Sequence, residues 1–172
     1  MGSDLQVVKQ IHWVWVAIAL HAITGCYSFR GISIPQEVRT FYIDEFENRA
    51  PNSPIDLGQI LSEKLKEKVI RESRLTFNDE NPDIEFVGTI SRFYVSAQAP
   101  QPEETIAFNR LEISASITYQ SNLDENNNWQ SNFSFYQDYE RDQNLLDIQD
   151  QLIEAINEQI VEDIFNRAFT NW

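Results

Sequence analysis

Within residues 109–120, the uninterrupted alternation of apolar and polar side chains from residue 111 to residue 120 constrains the fold more than any other feature of the sequence. Apolar residues occupy the odd-numbered positions from 111 to 119, and polar residues occupy the even-numbered positions from 112 to 120. Successive side chains of a β-strand point to opposite faces of the sheet, so this period places all the apolar residues on one face. The segment therefore predicts a strand with one buried face and one face exposed to water.

Two more strand-like segments, residues 84–97 and 129–139, flank this one in the sequence. In the first of them the apolar alternation changes phase by one residue, and we expect a β-bulge near Ser91 and Arg92 to absorb the shift. A proline-containing loop and a short polar loop separate the three segments, which predicts an antiparallel meander.

Residues 38–46 predict a further strand, because they are rich in aromatic and β-branched residues. Phe41 and Ile43 would lie on one side of this strand, and Tyr42 and Phe46 on the other. Apolar side chains on both sides predict a strand that is covered on both faces.

Two helices complete the predicted fold. Ser53 is a suitable N-cap for the first, which has Pro54 at its first position and runs to about residue 74 with one apolar stripe. Asn144 is a suitable N-cap for the second, which covers residues 145–169. We therefore expect a two-layer α+β domain, in which two helices pack on one face of a four-stranded, mostly antiparallel sheet in the order β-α-β-β-β-α.

The N-terminal segment has the pattern of a secretory signal, with Lys9 before an apolar run over residues 11–23 that is too short to span a bilayer. The run ends in Ile23-Thr24-Gly25-Cys26, which resembles a bacterial lipobox. That resemblance implies cleavage before Cys26 and acylation of its thiol; the alternative is an ordinary buried cysteine. We expect a signal peptide at residues 1–25, a lipidated tether at 26–36 and a single domain at 37–172.

Charge and residue inventory exclude several classes of function. The chain has 27 acidic and 13 basic residues and a net charge of −14, which is unsuited to nucleic-acid binding. Its two histidines and its one cysteine all lie within the first 26 residues, so the predicted domain lacks the side chains of the usual zinc sites and of His-based catalysis. We expect no catalytic residue, no metal site and no cofactor.

Two carboxylate-based sites are weaker possibilities. A glycosidase needs two carboxyl groups that converge in a cleft, and no pair stands out in this sequence. The acidic turn at residues 78–83 lacks the glycine and the alternating acids of an EF-hand calcium loop, so a solvated turn is the better interpretation.

Several segments together resemble one family. They are the lipobox, a short tether with Gly31 and Pro35, and the sequences of residues 46–51, 109–111 and 161–166. The chain resembles the lipopolysaccharide-assembly lipoprotein family, LptE, in the form found in Bacteroidota. The resemblance implies a lipoprotein on the periplasmic side of the outer membrane that plugs the large β-barrel LptD, helps it fold and assists insertion of lipopolysaccharide into the outer leaflet. Tyr27, where an Asp would follow the anchor in retained lipoproteins, agrees with that location.

Lipopolysaccharide carries negative charge, so basic side chains are the candidates for its recognition. The loop at residues 98–107 holds Glu103 and Glu104 and no basic residue, which leaves Arg92 and Arg110 beside it, or the basic face of the first helix. A solvated or ion-paired surface is the alternative interpretation for both sets. A different function also remains open at this point, that of a non-enzymatic scaffold or pilotin lipoprotein of another envelope or secretion complex.

Overall fold

The computed structural model describes residue 31, residues 33–99 and residues 107–170. The described strands and helices all belong to one compact unit, Ile32–Trp172. The predicted signal peptide, Cys26 and the first part of the predicted tether lie outside the described residues.

A six-stranded sheet and two α-helices form this unit. The strand order is β3-β1-β4-β5-β6, and β2 pairs with β4 beside β1. In chain order the elements are β1 (Thr40–Ile43), β2 (Glu47–Asn48), α1 (Leu57–Glu72), β3 (Thr76–Phe77), β4 (Ile84–Ala97), β5 (Phe108–Ser121), β6 (Trp129–Glu140) and α2 (Leu145–Phe169).

The antiparallel meander β4-β5-β6 is confirmed. Its pairing is continuous from Ile84 opposite Ser121 to Ala97 opposite Asn109, except for a register shift between Ile90 and Arg92. This shift is the β-bulge that the change of phase in the sequence predicts.

The other half of the sheet is parallel, so the prediction of a four-stranded, mostly antiparallel sheet is wrong. β1 runs parallel to both β3 and β4, and β2 runs parallel to β4. The cause is α1, which follows β2 and returns the chain across the sheet. The strands after it, β3 and β4, therefore run in the same direction as β1. The result is a mixed sheet.

The prediction that residues 38–46 form one strand covered on both faces is also wrong. β1 has only four residues, in which Phe41 and Ile43 are buried while Thr40 and Tyr42 are half-buried on the opposite side. The chain leaves the sheet before Phe46, whose ring is buried in the core. The apolar residues of this segment therefore enter one core from two places.

Both helices pack on the same face of the sheet, as predicted, although they begin differently. α2 has Asn144 as its N-cap, with the side-chain oxygen accepting a hydrogen bond from the N–H of Leu146 at 3.3 Å. α1 begins at Leu57 after Asp56, not at Ser53. The Ser53 hydroxyl instead donates to the Ala50 carbonyl oxygen at 2.8 Å and belongs to the loop before the helix.

Within the described residues, neither helix combines the length and the apolar character required to cross a membrane.

Candidate functional site

The face of the β4-β5-β6 meander that points away from the helices is covered by no described element, and we call it the outer face. It contains the even-numbered residues of β5 and the residues paired with them on both sides. Five cross-strand rows make up its central part: Val87-Thr118-Gln130, Thr89-Ser116-Asn132, Arg92-Ser114-Ser134, Tyr94-Glu112-Tyr136 and Ser96-Arg110-Asp138.

One half of the outer face has neutral side chains, all polar except Val87, and several of the polar ones bond to each other across the strands. The hydroxyl oxygens of Ser114 and Ser134 are 2.9 Å apart. The side-chain amide of Gln130 donates to the Ser116 hydroxyl at 3.2 Å. Such cross-strand pairs stabilise the sheet while they leave hydroxyl and amide groups in contact with water.

Arg92 lies on the outer face next to the bulge. Its Nε is 3.2 Å from a carboxylate oxygen of Glu112, and its guanidinium lies 4.6 Å from the centre of the Tyr94 ring. Half of the Arg92 side chain is exposed. One ion pair and one cation–π contact therefore hold this side chain at the surface.

Arg110 is bound more firmly. Its Nε and one Nη donate to the two carboxylate oxygens of Asp138 at 2.7 and 2.9 Å, and its guanidinium lies 3.5 Å from the centre of the Tyr136 ring. The hydrogen bond to Asp138 raises the pKa of Arg110, against a smaller opposing effect of burial. A bidentate pair of this kind fixes the plane of the guanidinium as well as its position.

The structure therefore brings both predicted arginines to one surface, on either side of Glu112, but each already has a carboxylate partner. The aromatic members of the cluster, Tyr94 and Tyr136, are 51% and 46% exposed and were not singled out from the sequence. The sequence feature that could have identified these two tyrosines is an aromatic residue at a water-facing position of a predicted strand. That signal becomes visible only when the register places each tyrosine in the same row as Glu112.

The basic face of α1, the other predicted candidate, is occupied by ion pairs. Lys68 donates to Glu72 in its own helix and forms an ion pair with Glu162 of α2, at 2.9 and 2.6 Å. Burial acts to lower the pKa of Lys68, but these bonds to Glu162 and Glu72 outweigh it and the pKa is raised. Lys64 is bound to Glu154 of α2. This face therefore joins the two helices.

The acidic turn at residues 78–83 also has a structural task. One carboxylate oxygen of Asp83 accepts hydrogen bonds from the backbone N–H groups of Arg39 and Thr40, at 2.8 and 2.9 Å. These bonds, that from Arg39 first, lower the pKa of Asp83 although burial opposes them. Across the described part of the chain, no cluster of acidic, histidine or cysteine side chains is arranged to hold a metal ion.

Comparison with known proteins gives one family and a set of similar folds. The family model described as "LptE: Lipopolysaccharide-assembly" matches residues 38–168. No curated protein matches the sequence. The hypothetical protein CT253 from Chlamydia trachomatis has 8% identity and a TM-score of 0.52, over 76% of this chain and 98% of its own. At that identity the likeness concerns the fold alone.

Two further structures have lower scores. A minor lipoprotein from Acinetobacter baumannii has 10% identity and a TM-score of 0.47, over 77% of this chain and 96% of its own. The rare lipoprotein B from Shewanella oneidensis has 11% identity and a TM-score of 0.41, over 73% of this chain and 89% of its own.

Proposed function

The chain belongs to the lipopolysaccharide-assembly family LptE, and from this membership we propose that it sits in the lumen of an LptD-like outer-membrane β-barrel, helps that barrel to assemble and assists the insertion of lipopolysaccharide. The family consists of non-enzymatic lipoproteins of the outer membrane. Binding and positioning, without covalent chemistry, are therefore the tasks that the domain has to perform.

The observation that carries this proposal is the uncovered, polar outer face. The inner wall of a large membrane barrel is polar and wet, whereas its outer wall is apolar. A plug must therefore offer hydroxyl and amide groups, such as those of Ser114, Ser116 and Ser134, rather than an apolar patch. The Arg92–Glu112 and Arg110–Asp138 pairs balance their own charges, so contact with the wall requires no isolated charge to lose its water.

The proposal includes an anchor and a side of the membrane. Cys26 carries the acyl chains, and the domain lies on the periplasmic side, within reach of a barrel lumen. Two or more acyl chains are sufficient for stable anchoring, whereas one is not.

Arg92 is the better candidate for contact with lipopolysaccharide, because its side chain is 50% exposed and has one carboxylate contact, while Arg110 is 29% exposed and bidentate. We expect the double variant Arg92→Ala, Arg110→Ala to weaken binding of lipopolysaccharide in a pull-down. The matched control is Arg39→Ala, Arg49→Ala, which removes two exposed arginines that lie on neither the outer face nor the first helix. Equal affinity of the two double variants for lipopolysaccharide would show that Arg92 and Arg110 do not contribute to its binding.

The experiment that tests the function is affinity purification of the tagged, lipidated protein from detergent-solubilised outer membranes, followed by mass spectrometry. We expect a large β-barrel of the lipopolysaccharide translocon in stoichiometric amount. Recovery of a secretion pore or a peptidoglycan-linked complex, with no such barrel, would contradict the proposal and favour the scaffold or pilotin alternative.

A matched pair of variants tests the surface as well as the partner. Ser116→Arg places a large charge in the centre of the outer face, whereas Gln159→Arg places the same charge on an exposed position of α2. We expect the first variant to reduce recovery of the barrel and the second to leave it unchanged. Equal recovery with both variants would show that the outer face is not the contact surface.

A further inference from the structure

A groove runs along the free edge of β6, between this strand and α2. Within it lies a cavity of about 380 Å³, lined by the end of β6, the first residue of β5 and the first turns of α2. Its apolar wall consists of Phe108, Tyr139, Ile148, Leu152 and Ala155. Ile148 and Ala155 are only half-buried, so the cavity is open to solvent and can receive an apolar side chain.

The backbone of β6 beside this cavity has hydrogen-bonding groups without partners. Just beyond the paired ends of the two strands, the N–H of Arg141 donates to the Ala107 carbonyl oxygen at 2.9 Å. Because bonded residues alternate along an antiparallel strand, the odd-numbered residues of β6 point their backbone groups to β5 and the even-numbered ones point theirs outward. In the described part of the chain, nothing bonds to the outward N–H and carbonyl groups of Tyr136 and Asp138. An edge with such groups accepts an added strand.

The polar rim of the cavity has only one sign of charge. Its charged lining residues, Asp138 and Glu140, are both acidic, and glutamine amides form the rest of the rim. Asp138 is neutralised by Arg110, whereas Glu140 is exposed and forms no ion pair with any described residue. The rim therefore favours a basic group and repels an anionic one.

The apolar wall, the unpaired backbone groups and the acidic rim together select the occupant of the groove. An acyl chain of lipopolysaccharide would fit the wall, but its negatively charged headgroup would meet Glu140 and the edge of β6 would stay unpaired. A second copy of the chain also has a net charge of −14, so two copies repel each other. A strand in the wall of a closed barrel is already paired on both edges. An extended peptide with basic residues matches all three features.

We propose that the groove between β6 and α2 binds an extended, basic peptide segment of a partner protein, which pairs with the edge of β6 and places one apolar side chain in the cavity. Side chains alternate along a strand, so the residues next to the apolar one project on the side of the sheet that carries the Glu140 side chain. A lysine or arginine at such a position lies close to that carboxylate. This inference goes beyond the proposed function, because the groove opens at the edge of the sheet and its occupation requires no barrel.

Selection from a random peptide library tests the proposal. The bait is the tagged protein, purified from membranes and reconstituted into nanodiscs of zwitterionic lipid, so that no detergent occupies the cavity. We expect enrichment of peptides in which one large apolar residue has lysine or arginine beside it. Absence of an enriched motif, or a motif without basic residues, would overturn the proposal. Binding of a spin-labelled fatty acid in place of any peptide would also contradict it and would assign the cavity to an acyl chain.

Two tryptophan variants locate the bound peptide. Ala155→Trp fills the cavity, whereas Gln59→Trp adds the same ring at an exposed position of α1. We expect the first variant to weaken the affinity for a selected peptide by roughly tenfold or more, because burial of the apolar side chain is lost, and the second to leave it unchanged. Equal affinity of the two variants would show that the peptide binds elsewhere and would overturn the proposal.

Changes to the peptide test strand pairing on the wild-type protein, and so remain decisive should Ala155→Trp fail to fold. Methylation of a peptide N–H that faces β6 removes one hydrogen bond and keeps every side chain, so we expect the affinity to fall on the order of tenfold. Methylation of the next N–H, which faces water, is the matched control and should have little effect. Equal effects at the two positions would rule out pairing with β6.

Glu140→Gln tests the recognition of charge. We expect this variant to bind the selected peptide roughly twofold to fivefold more weakly at low salt, with a smaller difference at high salt, because the exposed ion pair is lost. A peptide in which glutamine replaces the basic residues is the control and should bind the variant and the wild type equally. An unchanged affinity of Glu140→Gln for the basic peptide would contradict the assigned role of the rim.

Discussion

Asn157 shows at the scale of one residue how the core departs from pure apolar packing. It lies in the middle of α2 with 0% exposure, and neither its side-chain oxygen nor its side-chain nitrogen has a hydrogen-bond partner among the described residues. An unsatisfied buried polar group costs about 1–3 kcal/mol, so this position lowers the stability of the domain.

Replacing this side chain by an apolar one of similar shape should therefore stabilise the protein. We expect Asn157→Leu to raise the free energy of unfolding by about 1 kcal/mol or more, measured by urea denaturation. Asn157→Ala is the control, because it removes the polar group but leaves a cavity, and it should gain less. A loss of stability with Asn157→Leu would mean that the amide has a partner, such as a buried water.

Asp83 gives a prediction about pH. Its pKa is lowered in the folded state, first by the hydrogen bond from the Arg39 N–H, so its contribution to stability is present above its ordinary pKa of 3.8 and is lost as the pH falls through the folded value. We expect Asp83→Asn to lower the free energy of unfolding by about 1–2 kcal/mol at pH 7, and the difference from wild type to shrink below pH 4.

Asp79→Asn is the control for this pH dependence, because Asp79 is exposed in the same turn. Thermal unfolding followed from pH 7 to pH 3 measures both variants. A constant difference between Asp83→Asn and wild type over this range would contradict the assigned role of the carboxylate.

The candidate residues show how far sequence reasoning reaches at this scale. Arg92 and Arg110 were identified as the basic residues beside an acidic loop, and both lie on the outer face. Their partners Glu112 and Asp138 could not be assigned, because pairing depends on strand register and residue 138 is far from residue 110 in the sequence. The charge of a residue is known from the sequence alone, whereas the partner that neutralises it is known only once the fold is known.

At the scale of elements, the close approach of α1 to the chain before β2 rests on Gly58. A Cβ atom at this position would lie 1.9 Å from the Phe46 carbonyl oxygen, which no contact between these atoms permits. The absence of a side chain at Gly58 therefore sets the distance between the first helix and the sheet edge.

This contact reverses the usual effect of a glycine substitution. In a helix, Gly→Ala ordinarily stabilises by roughly 0.5–1 kcal/mol, but here we expect Gly58→Ala to destabilise by about 1–3 kcal/mol because the backbone of Phe46 must move. Gly31→Ala is the control, since its Cβ would meet nothing within 4 Å. Chemical denaturation of the two variants measures the difference, and a neutral or stabilising Gly58→Ala would contradict the close approach.

Long elements were predicted well and short ones were not, for a physical reason. The bulge, the three long strands and the Asn144 cap follow from patterns of ten or more residues or from a local hydrogen bond. β2 and β3 have two residues each, too few to show any period, and they exist because β4 and β1 offer them partners. Ser53 had the correct residue type for a cap, but the side chain of Asn48 organises that loop: its oxygen accepts a bond from the N–H of Ala50, and its amide donates to the Pro54 carbonyl oxygen.

At the scale of the whole molecule, the two faces of the sheet have different surroundings. The helices bury one face, and ion pairs between them, Lys64–Glu154 and Lys68–Glu162, hold the helical layer together. The outer face is covered by no described element. Because the two faces differ in this way, the domain as a whole is acidic although the charges on its outer face are balanced.

The proposed anchor at Cys26 decides in which membrane such a domain can act. Without the thiol no diacylglycerol can be attached, so we expect Cys26→Ser to be retained as an unprocessed precursor and to be absent from the outer membrane. Separation of inner and outer membranes, with mass spectrometry of the N-terminal peptide, measures both effects. Ser28→Ala, which leaves the lipobox intact, should be processed and acylated normally. A domain without acyl chains lacks the roughly 0.8 kcal/mol per buried CH₂ that holds a lipoprotein in the bilayer. A processed Cys26→Ser protein that still fractionates with the outer membrane would therefore show that the domain is attached to the membrane in another way.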